Sequence, residues 1–358
     1  MPPGITIVGL GPGDSRHWTR AAHALLNQAD EVYVRTYRHP SLAEIPAKIY
    51  AFDEASPPVT DAQQITAEVI RLAQREVGVI YAVPGHPSED AAVPLIRATA
   101  EAKQLSLTII PGLSLVEAAA TALNLENFHK LQLATAIEVA QLHHPPLAPD
   151  RPALVTGLSS QKLAARVKQV LLNAYAGDFV ITLVQGLERG WSGPLAKLDQ
   201  QPRPDEATSL YLPADAPNSS LPTFQETIAH LRAPEGCPWD REQTHQSLRP
   251  FLLEETYEVL EALDAANPAA LAEELGDLLL QIVLHTQIAT GAGDFKMGEV
   301  IGHINRKLVR RHPHVFGNVT VNGVEDVTTN WEAIKKAERA AANGEDLTLP
   351  SVLDGVPG

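Results

Sequence analysis

Cysteine is almost absent from this chain: Cys237 is the only one in 358 residues. A single thiol excludes an internal disulfide, and the usage fits a reducing cytosol. Positive charge is scarce too, with 28 Lys and Arg against 43 Asp and Glu, a formal charge of −15. That sign opposes non-specific binding to nucleic acid or to anionic membranes, so neither is an expected partner. A phosphate-bearing substrate would have to be met by local cations or a metal. No apolar run approaches the ~18 residues of a membrane span. No signal peptide is expected either, because Met1-Pro2-Pro3-Gly4 leads directly into a strand. The expected location is cytoplasmic.

Hydrophobic residues make up 44% of the chain and charged ones 20%, enough for a sizeable core. The length suggests two domains. The most informative stretch is a pair of acidic segments, EETYE (Glu254 to Glu258) and EELGD (Glu273 to Asp277). Glu255 and Glu258 are three residues apart, as are Glu274 and Asp277, which puts each pair on one helix face. Asn267-Pro268 between them reads as an N-cap followed by proline at the first helical position. A connection that short favours an antiparallel helical hairpin. Four carboxylates then converge on one spot, and hard oxygen ligands of this kind suit Mg²⁺ or Mn²⁺. One such pair alone reads as a solvated acidic face. The second pair, however, runs into the apolar LLLQIVL (Leu278 to Leu284). Asp277 therefore lies at the edge of a core, where an unpaired charge is costly.

With these segments in place the second half resembles the MazG nucleoside triphosphate pyrophosphohydrolases. GCPWDREQTH (Gly236 to His245), FLLEETYEVLEAL, EELGDLLLQIV, KLVRRHPHVF (Lys307 to Phe316) and NWEAIKKAER (Asn330 to Arg339) carry the resemblance, over roughly residues 223 to 342. It implies an all-α helical bundle that hydrolyses nucleoside triphosphates to monophosphate and pyrophosphate. Glu255, Glu258, Glu274 and Asp277 would be the metal ligands. Glu254, on a neighbouring face, is either the base that orients water or a partner in a salt bridge. Trp239 either stacks on a base or plugs the core at a helix bend. Lys307 and Arg311 share one helix face at i, i+4, as do Trp331 and Lys335, and the resemblance makes all four phosphate and base contacts. His312 and His314, separated by the helix-ending Pro313, read as structural. The last residues, 343–358, read as a loose tail ending in LDGVPG, a block like the one that introduces a second copy in long MazG proteins.

The first part, residues 1 to 215, alternates strands and helices, which calls for a mainly parallel sheet covered on both faces. Its first turn, GLGPGD, has Gly9, Gly11 and Gly13, but Asp14 stands where a dinucleotide-binding GxGxxG needs glycine. VGLGPGD, YAVPGHPSEDAAV (Tyr81 to Val93) and IIPGLSLVEAAATAL (Ile110 to Leu123) together resemble the tetrapyrrole (corrin/porphyrin) methylases. This resemblance implies S-adenosylmethionine bound between two α/β subdomains, with Gly11, Pro12, Gly85, Ser114 and Leu115 at the contacts. The family's GDP-type loop is here PGHP, without the Asp. Glu89 and Asp90 read as acids at a helix N-terminus. A proline- and serine-rich linker, 216–222, follows, and Thr223 with Glu226 reads as a capping box opening the first helix of the second domain.

The expected architecture is thus multidomain, an α/β methylase-like domain followed by an all-α MazG domain. The expected function is Mg²⁺-dependent pyrophosphohydrolysis of nucleoside triphosphates, joined to S-adenosylmethionine-dependent methyl transfer. Exposed apolar helix faces would complete themselves in a homodimer or tetramer through the second domain. In the alternative reading the acidic helices only oligomerise and the front domain is a methyltransferase or ligand sensor.

Overall fold

The structure is a computed structural model that describes residues 4–56, 59, 61–126, 128–201 and 204–343. The tail expected beyond residue 343 lies outside them. The chain divides into two compact units, Met1–Ser220 and Leu221–Gly358.

The first unit holds two five-stranded sheets. Its strands are β1 (Ile5–Gly9), β2 (Glu31–Val34), β3 (Lys48–Ala51), β4 (Val79–Val83), β5 (Leu107–Ile110), β6 (Gln132–Thr135), β7 (Ala153–Thr156), β8 (Val180–Gln185), β9 (Glu188–Pro194) and β10 (Thr208–Leu212). Its helices are α1 (Arg20–Gln28), α2 (Ala62–Leu72), α3 (Ala92–Ala102), α4 (Leu115–Ala122), α5 (Ala136–Gln141) and α6 (Gln161–Leu171). The first sheet runs β3-β2-β4-β1-β5, all parallel. Its inner strands are buried on both faces by helices, so β1 and β4 read as continuous apolar runs rather than alternating ones. Side chains fix the helix starts: Thr19 accepts from the Ala22 amide, Asp61 from the Gln64 amide, and Ser114 pairs with Glu117 in a capping box.

The second sheet, β6-β7-β10-β8-β9, is mixed. Only β6 and β7 are parallel; β10 is antiparallel to both β7 and β8, and β9 to β8. The expectation of a mainly parallel sheet therefore holds for the first half of the unit alone.

The second unit is helical: α7 (Leu221–Leu231), α8 (Pro238–Glu242), α9 (Arg249–Asp264), α10 (Pro268–Ala292), α11 (Met297–Arg311), α12 (Pro313–Phe316) and α13 (Val324–Asn343). Because α7 starts at Leu221, Thr223 lies within its first turn and is not the N-cap that the T-x-x-E pattern suggested. Asn267 does cap α10, its side chain accepting from the Ala269 and Ala270 amides at 3.2 and 3.3 Å. Gly293, at φ 83°, ends the helix in the left-handed conformation that glycine adopts without strain. The helices α9 and α10 pack against each other as the short connection requires. Pro313 does not simply stop α11; it occupies the first position of the short α12.

The described core of this unit is small, built on Ile228, Leu248, Val283, Leu284 and Met297. Apolar stripes at helical spacing stay exposed: Leu253, Tyr257 and Leu260 on α9, Leu275, Leu279 and Ile282 on α10, Ile301, Ile304 and Leu308 on α11. Among the described residues no helix is long and apolar enough to cross a membrane.

Candidate active sites

The helical hairpin brings Glu255 of α9 together with Glu274 and Asp277 of α10, one carboxylate oxygen of each within 4.8 Å of the others. All three are half-buried. Glu258 is not one of this set, but it stands beside it. Burial, then Asp277, then the charge and hydrogen bond of Glu258 push the Glu255 carboxyl above its usual range. Burial, Glu258, Glu273 and Asp277 do the same to Glu274. The charges acting most strongly on both groups are all carboxylates. An all-oxygen cluster that makes no ion pair among the described residues fits a hard divalent ion such as Mg²⁺. Glu254 is exposed and makes no ion pair among the described residues.

The expected cations gather elsewhere in the unit. Arg311 lies 5.7 Å from the Trp331 ring centre and Lys335 lies 4.2 Å from it. The i, i+4 spacings do bring these three together. Their charges, however, are already met: Arg311 and Arg310 both bind Glu338 at 2.6 Å, and Lys335 binds Glu332 at 3.1 Å. Hydrogen bonds from the two arginines hold Glu338 down to about 2. Lys307 makes no ion pair among the described residues and lines a groove of about 650 Å³ with Phe295, His303 and Arg306. Trp239 is 52% exposed and meets Phe251 edge-on at 6.0 Å, so it does not plug the core. His312 donates from Nδ1 to the Leu308 carbonyl at 2.7 Å, a structural contact. A second histidine pair, forty residues apart in the chain, carries no sequence signal: the Nδ1 atoms of His245 and His285 lie 2.8 Å apart and tie the segment before α9 to α10.

In the first unit three loops meet at the carboxyl ends of β1, β4 and β5, where α/β sheets place their ligands. Gly11 and Gly85 exchange backbone hydrogen bonds at 3.2 and 2.8 Å. The buried His39 donates from Nε2 to the Gly11 carbonyl at 3.0 Å and accepts from Ser41 on Nδ1 at 2.9 Å. Burial lowers its pKa, so the clasp is a neutral ring. Gly11 needs to be glycine for its φ of 71°, since a Cβ there would find nothing nearer than 3.4 Å. The tightest backbone packing in these loops is among Gly9, Gly85 and Gly112. A Cβ on Gly112 would lie 2.3 Å from the Gly85 carbonyl, and one on Gly9 would lie 2.5 Å from the Gly112 nitrogen.

Glu89 stands as expected at a helix N-terminus, accepting from the His86 amide at 2.8 Å in the short turn Pro87–Glu89, and it caps α4 as well. It accepts from Ser114 Oγ at 2.8 Å and from the Leu115 amide at 3.1 Å, at the start of α4. Asp90 serves α3 as expected, accepting from the Ala92 amide at 2.8 Å. It also forms a buried ion pair with Arg35 at 3.1 Å. Burial works against the Arg35 charge, but Asp90, Tyr81 and Glu206 together oppose it and the guanidinium stays protonated.

Two clefts flank these loops. One of about 380 Å³ is lined by Arg35, Glu89, Leu115, Thr156, Gly157 and Glu206. Gly157, at φ 72°, has open space where a Cβ would stand, leaving room for a ligand against bare backbone. Glu206 is pushed up by burial, with Arg35 opposing. The other, of about 600 Å³, is lined by Pro12, Asp14, His17, Glu44, Glu188 and Asp205. Of the expected ligand contacts, Leu115 and Pro12 line one cleft each. Gly11 and Gly85 form the hinge behind them, and the Ser114 hydroxyl is taken up by Glu89.

Residues 4–187, half of the chain, match the tetrapyrrole (corrin/porphyrin) methylases, and residues 243–316 match the MazG nucleotide pyrophosphohydrolase domain. The chain belongs to the tetrapyrrole methylases and carries a MazG domain behind them. Both parts come from enzyme families. The uncharacterized protein YabN of Bacillus subtilis (strain 168) is 35% identical over 99% of this chain and 73% of its own length. The nucleoside triphosphate pyrophosphohydrolase/pyrophosphatase MazG of Thermotoga maritima is 50% identical over 32% of this chain and 45% of its own. The Escherichia coli (strain K12) nucleoside triphosphate pyrophosphohydrolase is 44% identical over 36% of this chain and 48% of its own. The chain thus spans about half the length of these two pyrophosphohydrolases. A solved uroporphyrin-III-C-methyltransferase from Thermus thermophilus superposes with a TM-score of 0.44 at 19% identity, over 59% of this chain and 93% of that one.

In the methylase domain the His39 clasp gives a direct test of the loop. His39→Ala leaves the buried Ser41 with the Trp18 indole as its one remaining described partner and frees one side of the Gly11 carbonyl. Loss of these bonds should cost about 1–3 kcal/mol, read as a lower denaturant midpoint. In the wild type the ring's lowered pKa makes the unfolded chain bind the extra proton first. Its contribution is therefore full above about pH 6.5 and fades as the pH falls below that. A variant as stable as the wild type at pH 7.5 would show that the clasp carries nothing.

Proposed function

We propose that the MazG domain hydrolyses nucleoside triphosphates to the monophosphate and pyrophosphate with Mg²⁺. The observation that carries this is the convergence of Glu255, Glu274 and Asp277, which make no ion pair among the described residues. These three, with Glu258 beside them, would hold the ion; Mn²⁺ offers the same preference for oxygen. When bound, it supplies positive charge to the triphosphate and lowers the pKa of water. Water attacks the α-phosphorus, and Glu254, exposed and without a cationic partner among the described residues, orients it as base. Trp239 offers an open aromatic face to the base. Lys307 meets phosphate directly, while Arg311 and Lys335 do so by exchanging Glu338 and Glu332 for it.

The uncovered stripes of α9, α10 and α11 support self-association of this domain into a dimer or tetramer. Light scattering at micromolar concentration should give at least twice 38.6 kDa; a monomer would contradict it. For the methylase domain we place S-adenosylmethionine in the smaller cleft, whose carboxylates suit a ligand carrying sulfonium and ammonium charges.

The deciding experiment is product analysis with a nucleoside triphosphate panel. Pyrophosphate and monophosphate should appear with Mg²⁺ and vanish in excess chelator. Release of inorganic phosphate and diphosphate, or full activity in chelator, would refute the reading.

A further inference from the structure

We propose that Arg35 and Glu206 together hold the amino-acid end of the methyl donor in the smaller cleft. The guanidinium takes its carboxylate, and the Glu206 carboxylate takes its ammonium. This deepens the donor reading above and rests on it.

The two residues come from different sheets. Arg35 follows β2 at its carboxyl end, in the first sheet. Glu206 stands two residues before β10, in the second. There the Leu158 amide, just past β7, donates to the Thr208 carbonyl at 2.9 Å and fixes the start of β10 beside the end of β7. Each sheet thus gives the cleft one charge, and the two charges are of opposite sign.

The other charged groups of the cleft are already engaged. Arg35 is the one cation among its lining residues, with Glu89, Asp90, Glu138 and Glu206 as the carboxylates. Glu89 accepts from Ser114 Oγ and the Leu115 amide, and Glu138 from the Thr135 amide and hydroxyl, each at 2.9 Å. Asp90 accepts from the Ala92 amide, from Arg35 Nη2 and, at 3.4 Å, from the buried Tyr81 hydroxyl. Glu206 makes no hydrogen bond or ion pair among the described residues. Arg35 keeps donors to offer as well, since a guanidinium has five N–H groups, more than Asp90 and Tyr81 can take. Its side chain is 16% exposed and that of Asp90 6%, so the cation is held in place on the cleft wall.

Arg35 and Glu206 act on each other's charge, yet no ion pair joins them. A cation and an anion that are neighbours without touching complement an α-amino acid, whose carboxylate and ammonium sit on one carbon. Each contact would be charge-assisted and about twice as strong as a neutral hydrogen bond.

The test is titration calorimetry on the full chain with three probes. S-adenosylhomocysteine has both charges, decarboxylated S-adenosylmethionine keeps the ammonium alone, and 5′-methylthioadenosine lacks both. The wild type should bind methylthioadenosine about a hundredfold more weakly than S-adenosylhomocysteine, roughly tenfold for each lost charge contact. Glu206→Gln should weaken S-adenosylhomocysteine and the decarboxylated donor about tenfold alike and leave methylthioadenosine unchanged. Arg35→Gln should weaken S-adenosylhomocysteine about tenfold and spare the decarboxylated donor. That variant leaves Asp90 without its cation, so a melting curve must first show it folded; if it is not, Glu206→Gln decides alone, because it removes no described bond. Methylthioadenosine binding as tightly as S-adenosylhomocysteine overturns the proposal and leaves the donor reading standing. Equal losses on all probes in Glu206→Gln, or no loss on any, overturn it too. A wild-type chain that binds none of the three overturns the donor reading itself.

Discussion

Replacing Asp277 by Asn should lower pyrophosphate release more than about a hundredfold, because loss of an outer partner of a metal ligand alone costs 10–100-fold. The same change should raise, not lower, the melting temperature at neutral pH without metal. Asp277 is one of the charges that push Glu255 and Glu274 upward. A carboxyl with a raised folded pKa binds protons more tightly in the folded chain. Stability therefore falls as pH rises through the usual carboxylate range and the raised pKa, and stays lower above it. Removing the Asp277 charge relieves that deficit at pH 7.5, and the gap between variant and wild type should close toward about pH 4. Mg²⁺ at a hundred times its dissociation constant should stabilise the wild type by about 2.7 kcal/mol and the variant far less. Turnover assays and melts with and without Mg²⁺ decide it. A variant that is active, or inactive and less stable, would remove Asp277 from the proposed site.

Gly112→Ala should abolish S-adenosylmethionine binding while leaving pyrophosphate release intact. The new Cβ would stand 2.3 Å from the Gly85 carbonyl oxygen and 2.8 Å from the Gly9 carbonyl carbon. These are backbone atoms, so no side chain can swing aside. The loops after β1, β4 and β5 must separate, at about 1–3 kcal/mol or more. Calorimetry with the donor gives the first readout, and the MazG domain's own activity is the internal control for a folded chain. Unchanged donor affinity would show that the loop junction does not shape the site.

The strands β3, β6 and β9 leave little trace in the sequence, and each is an edge strand. An edge strand has a neighbour on one side only, so its residues need less apolar character. KIYA and QLAT are short and half-exposed, and ERGWSGP contains two glycines and no alternation. The central strands, buried on both faces, announce themselves. The acidic hairpin was legible for a similar reason: a helix period of 3.6 fixes which carboxylates share a face. Periodicity also brought Arg311, Trp331 and Lys335 together. It could not show that Glu332 and Glu338 would take up their charge, because a salt bridge depends on which helices pack side by side. Nor could spacing tell Gly11, needed for its dihedral, from Gly112, needed for its lack of a side chain.

The small core of the helical unit has a consequence for how the protein would behave in a cell. Five buried apolar side chains anchor the described part of this unit, while three of its helices keep leucine and isoleucine stripes uncovered. A fold whose missing burial is supplied by another copy of itself becomes firmer as copies accumulate and looser on dilution. Expression level would then act on the pyrophosphohydrolase half directly, while the methylase half, with two sheets and cores of its own, would be indifferent to it.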